Sequence, residues 1–244
     1  MKILISAGPT REPWDAVRFL SNRSSGKMGY ALAAAAAARG AEVTLVSGPV
    51  ELPDPPGVKT IRVETAGEMS KTVLETWKNV NAAVMAAAVA DYRPARPHAG
   101  KFKKGKRVPS ISLARTQDIL AEMGNEKIGR ILVGFAAESE RVKENAKAKL
   151  KAKRLDLIVA NPIAGKDDAM GADMSRAYLI DASGGEEELP RLPKAEVAER
   201  VLDRIAALWR KSKAPKSAGR YIGRRRPQKR ASQKKRHVPK PPAR

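Results

Sequence analysis

Lys2-Ile3-Leu4-Ile5-Ser6-Ala7, halted by Gly8-Pro9, and Gly26-Lys27-Met28-Gly29, which opens an alanine-rich run to Arg39-Gly40, set the architecture of the 244-residue chain. The first segment is short, apolar and cut off by a turn dipeptide, the pattern of a buried strand. The alanine-rich run reads as a helix, and Gly40 stands where a left-handed C′ glycine would end it. Glu42–Val46 follows as a second strand, closed by Ser47-Gly48-Pro49. Strand, loop, helix and strand in this order make a βαβ unit, whose strands are parallel and whose crossover is right-handed.

Working outward, the alternation continues. Val58–Val63 reads as a strand and Ala66–Lys78 as an amphipathic helix, and Ala82–Ala88 is an apolar run of strand length leading into Val89-Ala90-Asp91-Tyr92. Ile131–Phe135 is the next strand, followed by a very basic helix from about Arg141 to Lys153. Leu155–Ala160 and Ala177–Ile180 close the sheet, and Lys194–Trp209 is the last helix. The expected fold is therefore α/β, a Rossmann-like open, mostly parallel sheet flanked by helices. Between Pro94 and Pro109 the pattern breaks into Pro, Gly and six basic residues, which reads as a mobile flap excursion from the sheet. The expected organisation is one domain over residues 1–210 and a disordered Lys/Arg/Pro-rich tail over residues 211–244.

Charge supports that division. The formal net charge is +22, yet residues 210–244 alone hold 15 Lys/Arg and no acidic residue, leaving only +7 on the rest. With 42% hydrophobic residues the body needs no staple to fold. Absence of cysteine excludes thiolate nucleophiles, Cys-ligated zinc, iron–sulfur clusters and disulfides, and His98 and His237 cannot form a His-rich metal site. The longest apolar runs, Tyr30–Ala38 and Ala82–Ala90, have nine residues, where a membrane span needs about 20. The N-terminus lacks the regions of a signal peptide, so a cytoplasmic protein without membrane contact is expected.

In open α/β sheets ligands sit beyond the carboxyl ends of the strands. Three polar segments leave such ends: Gly8–Gly29, Asp91–Lys104 and Ala136–Ser139. Ser24-Ser25-Gly26-Lys27-Met28-Gly29 is not a Walker A loop, since position 21 is Ser and position 28 is Met, nor is it G-x-G-x-x-G, since position 24 is Ser. Small residues opening a helix still present N–H groups to an anion; equally, they make a tight packing turn. Arg18 and Asn22 suit recognition of a carboxylate, phosphate or amide, or else an ion pair and a helix cap. Lys101, in Lys101-Phe102-Lys103-Lys104, either closes over a triphosphate or belongs to a solvated charge run. Asp91 either binds a ribose or a Mg²⁺-linked group or ends a strand. Lys143, Lys147, Lys149, Lys151 and Lys153 form partly a solvent face, with Lys149 and Lys153 on one side.

Taken together these segments resemble a known family. Ile5-Ser6-Ala7-Gly8-Pro9-Thr10-Arg11-Glu12-Pro13, Asp15, Val17-Arg18, Ser21-Asn22 and Ser24–Gly29 closely resemble bacterial phosphopantothenate–cysteine ligases. Ala87–Arg93, Lys101–Lys104, Gly134-Phe135-Ala136-Ala137-Glu138 and Leu155–Asn161 are similar to the same family in the same order, over roughly residues 1–210. The resemblance implies a step of coenzyme A synthesis. CTP, with Mg²⁺, activates the carboxylate of 4′-phosphopantothenate as an acyl-cytidylate, pyrophosphate leaves, and the amine of L-cysteine displaces CMP.

By the same resemblance Asn22 holds phosphopantothenate or its acyl-cytidylate, Arg18 supports that position, and Lys101 stabilises activation from a closing flap; Asn22 and Lys101 are the catalytic pair. Ala88 joins the substrate-binding set. Met85, Ala86, Ala87, Asp91, Lys101, the turn Gln117-Asp118-Ile119-Leu120, Phe135, Lys149 and Lys153 form the nucleotide-binding set. No metal ligands are assigned. A homodimer sharing residues between active sites is also implied.

Four positions depart from the family pattern: Arg23 where His is frequent, Thr116 and Gln117 where Asn-Pro is common, and Ser139 in place of Thr. Relatives are often fused behind a flavin-dependent decarboxylase that uses a cysteine. Here the ligase motifs begin at residue 3 and cysteine is absent, so ligase activity without decarboxylation and without FMN is expected. The alternative is a non-catalytic nucleotide-fold protein that binds nucleic acid or another polyanion through residues 210–244. A nicotinamide-dependent reductase is disfavoured by the missing glycine fingerprint and by Leu45-Val46-Ser47, which lacks a terminal acid.

Overall fold

The computed structural model of the chain describes residues 1–104, 110–163 and 172–213. Its elements in order are β1 (Lys2–Ala7), β2 (Arg11–Pro13), β3 (Phe19–Ser21), α1 (Lys27–Ala38), β4 (Glu42–Ser47), β5 (Val58–Arg62), α2 (Ala66–Trp77), β6 (Ala82–Met85), β7 (Tyr92–Pro94), β8 (Leu113–Arg115), α3 (Ile119–Asn125), β9 (Ile131–Glu138), α4 (Val142–Ala152), β10 (Leu157–Pro162), β11 (Met174–Asp181), β12 (Glu186–Pro193) and α5 (Lys194–Lys213). Eight strands form one sheet in the order β12-β11-β10-β9-β6-β1-β4-β5. From β5 to β10 every pair is parallel, and β11 and β12 add an antiparallel edge. The expected Rossmann-like α/β sheet is thus present. Its parallel strands wind outward in both directions from β1 and β6, the arrangement that leaves a crevice at their carboxyl ends.

Both faces of the sheet are covered, which is why β1 is apolar at consecutive positions rather than at alternate ones. Ile3 and Ile5 pack with α1 and α5, while Leu4 packs with α2, α3 and α4. Gly29 in the first turn of α1 lets that helix lie directly on β1, since a Cβ there would stand 2.4 Å from Ala7 Cβ. The alanines of α1 serve the same close approach: Ala33 and Ala36 are buried with Leu32. α2 is started by a capping box, Thr65 accepting from Glu68 N–H and Glu68 reaching back to the Thr65 N–H. No helix among the described residues is long and apolar enough to cross a membrane.

Several boundaries depart from the sequence reading. The strand expected over Ala82–Ala88 ends at Met85. Residues 86–90 stay beside the extension of β1, with Ala86 N–H donating to Ser6 O, Ala88 N–H to Gly8 O and an isolated parallel bridge between Pro9 and Ala88. The hydroxyls of Ser6 and Thr10 accept from Ala87 and Ala90 N–H. The loop between Thr10 and Ser25 contains the hairpin β2–β3, and the excursion after Asp91 is partly the hairpin β7–β8. These three-residue strands are too short for periodicity to register. The sheet does not close at Ala177–Ile180: β12 pairs with β11 beyond it, a strand whose glutamates and prolines suit an exposed edge. The segment expected as a nucleotide turn opens α3, with Asp118 as its N-cap. The last helix runs on to Lys213 rather than ending at Trp209. Residues 105–109 of the expected flap and residues 214–244 of the expected tail lie outside the described residues.

Candidate functional site

A cleft of about 620 Å³ opens over the carboxyl ends of β1, β6, β9 and β10, lined by Ser24–Gly29, Met85–Val89, Asp91, residues 115–120, Phe135–Ala137, Lys149 and Lys153 among others. One wall is the start of α1. Gly26 holds the left-handed conformation at φ 75°, and no side chain caps the helix. Its first-turn N–H groups are therefore available to an anion.

The floor is main chain. Ala86 N–H donates to Ser6 O at 3.3 Å, Ala87 N–H to Ser6 Oγ at 3.1 Å, Ala88 N–H to Gly8 O at 2.9 Å and Ala90 N–H to Thr10 Oγ1 at 3.0 Å. Ser6 and Thr10 are buried polar side chains whose oxygens fix this segment. Neither was singled out in the sequence beyond its place in a motif; a buried hydroxyl within an apolar strand was the available signal. Asn22 Nδ2 donates to Ala88 O at 2.9 Å and Val89 O at 3.2 Å, leaving its oxygen unengaged by these bonds.

Cations dominate the remaining wall. Lys153 donates to Asp118 at 2.9 Å, and Asp118 also accepts from Ala121 N–H at 3.0 Å. Burial alone would raise the Asp118 carboxyl, but the Lys153 and Ala121 hydrogen bonds and the charges of Lys153 and Lys149 hold it below its usual value. Lys149 has no hydrogen bond or ion pair among the described residues. Burial, and then the adjacent Lys153 charge, push its ammonium down against the opposing pull of Glu138, Asp91 and Asp118. Lys194 also lines the cleft and is lowered by burial and by Lys27, with Asp173 opposing. Lys27 pairs with Asp173 at 2.6 Å. Lys27 and Lys194 are thus further basic residues at the site that the sequence reading had not assigned.

Met85, Ala86, Ala87, Ala88, Asp91, Gln117, Asp118, Ile119, Leu120, Phe135, Lys149 and Lys153 all meet in this cleft. Gln117 is fixed by Ser70, whose hydroxyl donates to it at 2.5 Å. Arg18, Asn22 and Lys101 do not line the cleft; Asn22 reaches it only through its bonds to the carbonyls of Ala88 and Val89. The Arg18 guanidinium is engaged by buried Asp15 and donates to Phe102 O at 2.9 Å, so it braces the segment that carries Lys101. Lys101 itself is exposed.

A resident metal needs several converging oxygen or nitrogen ligands. Among the described residues no group of three His, Cys, Asp or Glu side chains could hold one. The carboxylates lining the cleft are Asp91 and Asp118, and Asp118 is already committed to Lys153 and the cap of α3.

Comparisons with known proteins identify the family and the fold. Residues 1–208 match the family described as the DNA/pantothenate metabolism flavoprotein C-terminal domain. The chain is 44% identical over 207 residues to the coenzyme A biosynthesis bifunctional protein CoaBC of Bacillus subtilis (strain 168), covering 84% of this chain and 51% of that protein. It is 45% identical over 214 residues to CoaBC of Escherichia coli (strain K12), covering 86% and 52%. The chain thus spans about half the length of the curated relatives it matches. A crystal structure of the C-terminal domain of CoaBC superposes with a TM-score of 0.75 at 42% identity, covering 86% of this chain and 96% of that one. A Cab2 mutant in complex with phosphopantothenate-cysteine, 15% identical and covered at 86% and 87%, shares the fold with a TM-score of 0.70. The chain belongs to the DNA/pantothenate metabolism flavoprotein C-terminal domain family, to which the C-terminal domain of CoaBC is similar along nearly its whole length.

Proposed function

We propose that the chain is a phosphopantothenate–cysteine ligase that works through an acyl-cytidylate. The observation that carries this reading is the cleft, which faces an uncapped helix start with Lys149, Lys153 and Lys194. That distribution suits a polyphosphate placed beside a small acid. In the first step a carboxylate oxygen of 4′-phosphopantothenate attacks the α-phosphorus of CTP, and the bond to pyrophosphate breaks. In the second, the amine of L-cysteine attacks the acyl carbon, CMP leaves with the bonding electrons, and the amine proton passes to solvent.

Lys149 and Lys153 offset phosphate charge. Asp91 accepts from a ribose hydroxyl, Phe135 packs on base or sugar, and the small residues Ala86, Ala87 and Ala88 let the ligand approach main chain. Asn22, held by the carbonyls of Ala88 and Val89, offers its oxygen to the pantothenate side. Lys101 adds positive charge to the activating step. The described residues do not build a resident Mg²⁺ site, so Mg²⁺ belongs in this reading to the triphosphate substrate. Exposed Val17, Phe19, Tyr92 and Leu113 on and beside the two hairpins support a homodimer. The reaction and a cytoplasmic setting fit relatives that are coenzyme A biosynthesis proteins, which do not favour the non-catalytic polyanion-binding alternative.

Supplying phosphopantothenate, cysteine and Mg²⁺ with either CTP or ATP tests the proposal. Pyrophosphate and CMP are expected to appear with CTP in preference to ATP. Absence of turnover with both retires the ligase reading, and a monomeric mass by light scattering at assay concentration removes the homodimer.

A further inference from the structure

Asp15 lies outside the cleft, yet its side chain is wholly buried and carries an unusual number of bonds. Its Oδ1 accepts from the N–H groups of Val17 at 2.8 Å and Arg18 at 2.7 Å, which closes the turn between β2 and β3. Its Oδ2 accepts from Arg18 Nε at 3.0 Å and, across 87 residues of chain, from Phe102 N–H at 3.0 Å. Arg18 completes the clasp by donating to Phe102 O at 2.9 Å. Both main-chain polar groups of Phe102 are therefore held by one pair, a buried carboxylate and a partly exposed guanidinium.

The ring of Phe102 adds weaker contacts, stacking on Trp14 at 6.2 Å and receiving the edge of His98 at 5.8 Å. Arg18 in turn lies 4.0 Å over the Trp14 ring. Asp15 stays ionised throughout the working range, because the Arg18 hydrogen bond outweighs burial and holds its carboxyl far below the usual value. His98 is tied as well, its N–H donating to Trp14 O at 2.8 Å, so the stretch is held on both sides of the residue that must be delivered to one place. That residue is Lys101, whose Cα is about 3.8 Å from that of Phe102.

We propose that Asp15 is a positioning residue: through Arg18 and the main chain of Phe102 it fixes the root of the flap so that Lys101 reaches the activating step. This rests on the ligase reading for its kinetic consequence but not for its structural one. The clasp acts on placement rather than on nucleotide affinity. Loosening it lowers kcat for pyrophosphate formation by about 10-fold to 100-fold, the scale on which small misplacements act, and leaves the KM for CTP within about two-fold.

Two variants of the full chain test the proposal. Asp15→Asn removes the charge that binds Arg18, whereas Phe102→Pro deletes the N–H arm together with the ring while leaving Asp15 and Arg18 paired, and it stands on an exposed loop where the fold is not at stake. Limited trypsin digestion, followed by mass spectrometry at the Lys103–Lys104 bond, is expected to cleave both variants at least about 10-fold faster than the parent. Phe102→Ala, which keeps both main-chain bonds, should stay near the parent rate. Unchanged cleavage in Phe102→Pro overturns the clasp. Faster cleavage with unimpaired pyrophosphate formation overturns the positioning role. A parent chain that makes no pyrophosphate at all defeats the ligase reading instead, and the digestion still reports on the clasp.

Discussion

At the sheet end, residues 86–90 are fixed by main-chain and hydroxyl bonds to Ser6, Gly8 and Thr10, on strands packed from both faces. The hairpins β2–β3 and β7–β8 beside it are exposed, have three residues per strand, and meet their surroundings largely through side chains. Glu12 accepts from Ala66 N–H at 2.8 Å, Asn22 donates to Ala88 and Val89, and Asp15 holds Phe102. The first region is a rigid rack, and the second is an arm tied at a few points. Rigid main chain suits a nucleotide whose shape does not change. An arm suits groups that must approach only when both reactants are present. The proposed division of labour follows that contrast, with the nucleotide on the rack and the pantothenate side under the arm.

The largest expected effect comes from cutting the arm's tie to the rack. Asn22→Asp replaces two donors by a carboxylate facing two carbonyl oxygens. Amide formation should fall by about 10²-fold, the scale of a misplacement of about 1 Å, with thermal stability little changed because Asn22 is exposed. Stopped-flow detection of CMP release checks it, and normal kinetics would mean that the arm is not needed where it is attached.

Damage to the rack should register differently. Gly29→Ala places a methyl group 2.4 Å from Ala7 Cβ, forcing α1 away from β1. The expected cost is about 1–3 kcal/mol of stability, read by denaturant unfolding, together with weaker nucleotide binding. An unaffected midpoint would show that the helix start is not held by this contact.

The smallest effect sharpens the electrostatic side of the comparison. Because the Lys149 ammonium is lowered, it loses its charge at a lower pH than an ordinary lysine of about 10.4. Phosphate binding that depends on it should therefore weaken as pH rises into the alkaline range, and Lys149→Arg, which stays charged, should flatten that limb while changing neutral-pH affinity only a few-fold. Calorimetric titration of CTP across the alkaline range distinguishes the two. Identical profiles would exclude Lys149 as a phosphate partner.

Where bond patterns were long and repeated, they were legible in advance. β1, α1, β4, β5 and α2 fall within a residue or two of their expected bounds because each is at least five residues long and is bounded by a Gly, a Gly-Pro turn or a capping residue. The hairpins escaped notice because three residues carry no period, and β12 because an exposed edge strand has no apolar face to display. At the site, the cleft's main-chain floor and lysine wall were named from motifs. Lys27 and Lys194 were not assigned, since nothing local distinguishes a lysine that lines a cleft from one in solvent. Arg18 was open to two readings, a grip on an anionic ligand or an ion pair, and the folded chain pairs it with Asp15 and Phe102 O.

The amino-acid order alone determined that strands and helices alternate, that both faces of the sheet are apolar, and that the positive charge concentrates in the last 35 residues. These are properties of neighbouring residues, set by side-chain period and composition. Only the tertiary structure decided that Asp15 meets Phe102, that Asn22 meets Ala88, and that Lys149 stands unpaired among the described residues beside Lys153. Those encounters join positions up to 87 residues apart, and their strength depends on burial, which no local pattern specifies.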